Sequence, residues 1–317
     1  MAKVIPENPA DHFLKNCVTA QFLIDDLRRV SNYVGVSTVE EMDNYYWFRQ
    51  HFNGGFTLKT IDRNLDSGRN GNNETVSNLG YNIRNEMQDT GLGLGKVSGA
   101  WGIDLYSLRQ LNVMRMYGED HLGSHHFVKN AQYPARCEHT DEVADLRNLV
   151  RSRVLATNHF STLKETAKFF AQNHLACAIQ VSEDRRSGTQ RRDDKVNSLQ
   201  PFSRYRLAGT DILIDTGVDG PDRYRIVTHS TRQEILEIRQ GNPKWKALMK
   251  GIDQHKGVDK NYLEQRRAEF HGDTESKKHP GKRSSSYYPE LTERNLKIIK
   301  RNDPVELCRE FYRWKIK

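Results

Sequence analysis

Apolar positions in the first third of the chain recur at three- and four-residue spacing. Across residues 10–33, Phe13, Cys17, Ala20, Leu23 or Ile24, Leu27 and Val30 line one side of a helix. Arg28 and Arg29 fall in its last turns, where cations suit the helix dipole. Ser37 and Glu40 read as a capping box for a second helix, which carries Met42, Tyr45, Tyr46, Trp47 and Phe48 and stops at Gly54-Gly55. Residues 63–78 are dominated by Asn, Gly, Asp and Ser and read as a long loop. A further helix is expected from about Ile103 to Tyr117. Another carries Val143, Leu146, Val150 and Val154, and a third starts at the Thr162/Glu165 box.

The period changes after His174. Ala176 to Val181 reads as a buried strand, Asp211 to Asp215 as a second, and Arg223 to Thr228 as a third. The turn Thr216-Gly217-Val218-Asp219-Gly220-Pro221 has hairpin chemistry. Thr231 with Glu234 then caps a helix. The pattern predicts an α+β protein in three parts. Residues 1–156 form a mostly helical domain with long polar loops. Residues 157–250 form a small α/β unit of helix, about three strands and helix. Residues 251–317 form a basic helical C-terminal extension.

Charge sharpens this picture. The net charge of the 317 residues is +8, and the stretch from Gly251 onward holds 16 Lys and Arg against 11 Asp and Glu. A basic balance of this size favours an anionic partner, and nucleic acid, DNA or RNA, is the expectation. Two groups of cations are placed for phosphate contact. Arg185, Arg186, Arg191 and Arg192 sit on one loop, and paired guanidiniums suit bidentate contacts to phosphate oxygens. Glu183, Asp184, Asp193 and Asp194 offset them locally. Lys277, Lys278, Lys282 and Arg283 have fewer acids nearby, and Tyr287 and Tyr288 follow as stacking platforms.

Two constellations carry other chemistry. His121, His125, Cys137 and His139 are borderline and soft ligands within nineteen positions, and four such groups close a structural zinc site. Asp211 and Asp215 share strand parity, and with Glu234 they are the acids for a metal-dependent hydrolase or nuclease acting on phosphodiesters. The glycines of Gly91-Leu92-Gly93-Leu94-Gly95-Lys96 do not make a phosphate loop, because Thr90 and Val97 stand where that motif needs Gly and Ser or Thr.

A third function class is a shell or scaffold component that self-associates through the aromatic segment Phe311 to Trp314. The four cysteines are sparse and widely separated, which predicts a reducing, cytoplasmic setting. The first residues lack the apolar stretch of a signal peptide, and no apolar run suits a membrane span.

Overall fold

The computed structural model describes residues 8–52, 104–117, 135–139, 143–156, 159–173, 175–180, 182–183, 201–202, 205, 209–271 and 290–307. Helices α1 (Pro9–Asn16), α2 (Val18–Val34), α3 (Val39–Asp43) and α4 (Tyr46–Phe52) come first. Strand β1 (Leu105–Ser107) runs straight into α5 (Leu108–Tyr117). Next come β2 (Ala135–His139), α6 (Val143–Leu155), α7 (Leu163–Asn173) and β3 (Ala176–Gln180). The hairpin β4 (Ile212–Asp215) and β5 (Tyr224–Ile226) precedes α8 (Arg232–Gly241) and α9 (Pro243–Gln254). The chain continues through α10 (Lys260–His271), α11 (Glu293–Arg301) and the short α12 (Pro304–Glu306). The protein is thus mixed α and β. Its packing forms two compact units, each assembled from separated stretches.

The first unit comprises residues 1–17, 89–146 and 164–257 and is built on a five-stranded mixed sheet in the order β2-β3-β1-β4-β5. β1 pairs parallel with β3, and the other pairings are antiparallel. Leu105 lies opposite both Cys177 and Ile214, so β1 is an inner strand with all three residues buried. That position corrects the helix expected from Ile103: Leu105 and Tyr106 belong to the sheet, and the helix starts only at Leu108. The sheet likewise exceeds the three strands expected, because β1 and β2 both come from the stretch read as helix and loop. Each face of the sheet has its own core. Leu105, Cys177, Ile179, Ile212 and Ile214 pack with Phe202, Tyr205 and Ile235 on one side. Tyr106, Ala178 and Leu213 pack with Leu111 and Met114 of α5 on the other.

At the start of β1, Asp104 and Arg239 of α8 form a two-toothed ion pair, both bonds 2.5 Å. The two side chains are 5% and 3% exposed, which puts this pair in the interior. The guanidinium also lies 4.6 Å from the Trp245 ring centroid. Such a pair is costly to break from one side, since the survivor is a buried charge. Nearby, α1 packs on α9, where a Cβ at Gly251 would stand 3.0 Å from that of Ala10.

The second unit comprises residues 18–88, 147–163 and 258–317. Its α2 buries Leu23, Ile24, Leu27 and Val30, and α10 and α11 pack against it. Within residues 251–317, the pattern of Leu296, Ile298 and Ile299 forms the helix α11, and all three are buried. Cations of this unit sit on aromatic faces, Arg267 over Phe22 at 4.4 Å and Lys300 over Tyr33 at 5.5 Å. The capping box of α3 is formed by Thr38 and Glu41, one residue later than Ser37 and Glu40, and Ser37 instead donates to the same Glu41 carboxylate.

Candidate functional site

β1 and β3 are adjacent parallel strands, and the next described core residues after each lie on opposite faces of the sheet. After β1 the chain enters α5, on the Tyr106 and Ala178 side. After β3 the next core residues, Phe202 and Tyr205, lie on the Cys177 and Ile179 side. In open α/β sheets a reversal of this kind leaves a crevice outside the carboxyl ends of the strands, and ligands bind there.

Four polar residues gather at those ends, all buried: Ser107, Gln110, Gln180 and Glu183. Ser107 closes β1 and caps α5, its Oγ accepting from the Gln110 N–H at 3.1 Å. The same hydroxyl donates to Glu183 Oε2 at 2.5 Å. The Gln180 N–H, at the end of β3, donates to the same carboxylate oxygen at 2.9 Å. Gln180 Nε2 donates to Gln110 Oε1, whereas Gln110 Nε2 is buried without a hydrogen-bond partner among the described residues. Glu183 thus ties the ends of both parallel strands together. It is also the last described residue before Arg185 and Arg186 in the sequence.

That placement changes the role of Glu183. In the sequence it reads as a local counter-charge to the loop arginines. In the fold it is 2% exposed and serves the strand ends. Ser107-x-x-Gln110 and Gln180-x-x-Glu183 carry the spacing of helix-start boxes, which was the available signal. Arg185, Arg186, Arg191 and Arg192 lie outside the described residues, as do Lys277, Lys278, Lys282, Arg283 and the segment Phe311 to Trp314.

The three acids read as hydrolytic are not brought together. Asp211 is exposed ahead of β4, and its carbonyl accepts from Leu108 N–H at 2.9 Å. Asp215 ends β4, about 13 Å further along an extended chain. It is buried, with Oδ1 accepting from Gly217 N–H at 2.8 Å and Oδ2 from Arg223 at 3.2 Å. Its backbone carbonyl accepts from Asn242 Nδ2 at 2.9 Å. Gly217 is required there: its φ is +72°, and a Cβ would meet Asn242 Oδ1 at 2.4 Å. Glu234 is exposed and closes the capping box with Thr231. Bonds from the Thr231 N–H and hydroxyl hold its carboxyl below the ordinary glutamate value. The carboxylates of Asp215 and Glu234 therefore each have a local structural task.

Of the four zinc-type residues, His121 and His125 lie outside the described residues. Cys137 and His139 are in β2, an edge strand, opposite Ala178 and Ala176 of β3. The loop expected to carry the whole set thus ends in a paired strand. Among the described residues no group of three or more His, Cys, Asp or Glu converges on a metal-sized site. Also among the described residues, no helix is long and apolar enough to cross a membrane. No family model, curated protein or solved structure matches the chain.

Proposed function

We propose that this protein binds nucleic acid through its phosphate backbone, with Arg185, Arg186, Arg191 and Arg192 as one contact group and Lys277, Lys278, Lys282 and Arg283 as the other. The observation that carries the reading is the root of the arginine segment. It follows directly on Glu183, whose buried carboxylate is fixed at the carboxyl ends of two parallel strands. Arg185 and Arg186, two and three residues from a fixed point, present bidentate donors at less entropic cost than a free tail would, and Arg191 and Arg192 follow within nine residues of it. The net charge of +8 supplies the long-range attraction. In the same reading, His121, His125, Cys137 and His139 hold a structural zinc that staples the loop to β2.

The test is retention of the purified full chain on single- and double-stranded nucleic acid at about 50 mM and about 200 mM salt. Binding that is tolerant of sequence and collapses at the higher salt is expected, and replacing the four arginines with Gln weakens it. No retention at the lower salt refutes the proposal. Metal content of the chain, compared with a Cys137→Ser variant, tests the zinc separately.

A further inference from the structure

We infer that a lysine ridge across α7 and α9 is an additional phosphate-contact surface, on the folded body and not on a loop or tail. The inference rests on the nucleic-acid reading above and extends it to a site that the sequence pattern did not single out. In α9, Trp245, Leu248 and Ile252 are buried, so the helix is held by its apolar side. Lys246 and Lys250 are both exposed, one helical turn apart, or about 6 Å along the axis. Neither has an acidic partner among the described residues. Asp253 continues the same stripe, but it is already engaged by α7. Lys168 pairs with its carboxylate, and Lys164 donates to its backbone carbonyl at 2.9 Å.

Two lysines of α7 therefore already engage Asp253, and Lys246 and Lys250 stand on the same stripe of α9 beside them. Of the acids on helices next to α9, Glu165 is in the first turn of α7, where the helix dipole favours it, and Asp11 of α1 pairs with Lys15 and His255. Like charges one turn apart destabilise a helix by a few tenths of a kcal/mol, and no ion pair among the described residues engages Lys246 or Lys250. A backbone with regularly spaced phosphates supplies the missing counter-charges. An anionic membrane surface fits less well. A helix lying on lipid needs a free apolar side, and that of α9 is already committed to the core. The large exposed apolar residues of the described structure, Leu108, Met116, Val218 and Ile226, are on neither helix.

The experiment compares two double variants of the full chain with equal loss of charge: Lys246→Gln/Lys250→Gln on the ridge, and Lys260→Gln/Lys297→Gln, whose lysines already pair with Glu264 and Glu293. Binding to a duplex is measured between about 50 and about 200 mM salt, where each phosphate contact contributes about 0.9 to the slope of log K against log salt. The ridge variant is expected to lose about 1.8 from that slope, shrinking the salt effect over this range about twelve-fold, while the control keeps its slope. Equal slopes in the two variants overturn the inference, leaving only net charge. Full binding by the ridge variant together with loss on arginine replacement also overturns it, and leaves the nucleic-acid reading standing. Absence of binding by the unaltered chain sinks both. Phosphatidylserine vesicles form the last arm: ridge-dependent vesicle binding with ridge-independent duplex binding overturns the inference in favour of lipid. Both pairs are exposed, so unchanged circular dichroism certifies the fold.

Discussion

Replacing Glu183 tests whether the arginine segment depends on its anchored root. In Glu183→Ala, the Ser107 hydroxyl and the Gln180 N–H both lose their acceptor in a buried setting. Hydrogen bonds to a charged group contribute about 1.5–3 kcal/mol each, so the loss is about 3–6 kcal/mol. That is a large part of the stability of a typical domain. Glu183→Gln keeps an oxygen in place but removes the charge, and neutral hydrogen bonds are about half as strong, so the expected cost is about 1.5–3 kcal/mol. Urea unfolding at neutral pH reads both. The decisive readout is nucleic-acid affinity, because here the two effects have opposite signs. Glu183→Gln removes a negative charge beside the arginines, and electrostatics alone predicts tighter binding. Anchoring predicts weaker binding, since a loosened root makes the guanidiniums pay more entropy on contact. A Glu183→Gln protein that unfolds at the same urea concentration and binds more tightly would refute the anchoring argument.

Two further outcomes follow from the first unit. Asp104→Ala or Arg239→Ala alone should each cost about 3–5 kcal/mol, whereas the joint replacement Asp104→Leu/Arg239→Met should cost far less, because no buried charge is left alone; additive losses in chemical denaturation would contradict the pairing. Glu234 should titrate below the ordinary glutamate value of about 4.3. Its folded pKa is depressed, so its contribution to stability is complete above the unfolded value and is lost as the pH falls through the folded one. Carboxyl NMR on the intact protein checks this, and in Thr231→Ala, which keeps the backbone N–H and removes only the hydroxyl, the shift should shrink without vanishing.

Legibility in the sequence followed the range of the contacts involved. The β4–β5 hairpin and the Thr231–Glu234 box were readable because their determinants lie within a dozen residues of one another. β3 was readable because a strand buried on both faces is a continuous apolar run. β1 was not, since Leu105-Tyr106-Ser107 is only three residues long and continues into a genuine helix, so the helical period absorbed it. β2 was hidden for a different reason. Arg136, Cys137, Glu138 and His139 have little strand character, and their pairing with Ala176 to Ile179 comes from the sheet. At the candidate site, the arginines were visible as composition, but Glu183 looked like one acid among several. Only packing reveals its place at the strand ends. The lysines of the ridge were not visible as a group because the two pairs are about eighty residues apart in sequence, and only the packing of α7 against Asp253 of α9 brings them side by side.

The inner position of β1 has a consequence for how this chain folds. Leu105 waits about 70 residues for Cys177 and about 110 for Ile214. At a synthesis rate of about 5–20 residues per second, the strand that organises the sheet spends about 5–20 s without its second neighbour. Non-local pairing of this kind is slow, because loop closure must precede any gain from contact. The apolar Leu105 and the aromatic Tyr106 are exposed to other chains throughout that interval. Chaperone supply during synthesis should therefore raise the soluble yield of the full chain more than any change to its surface.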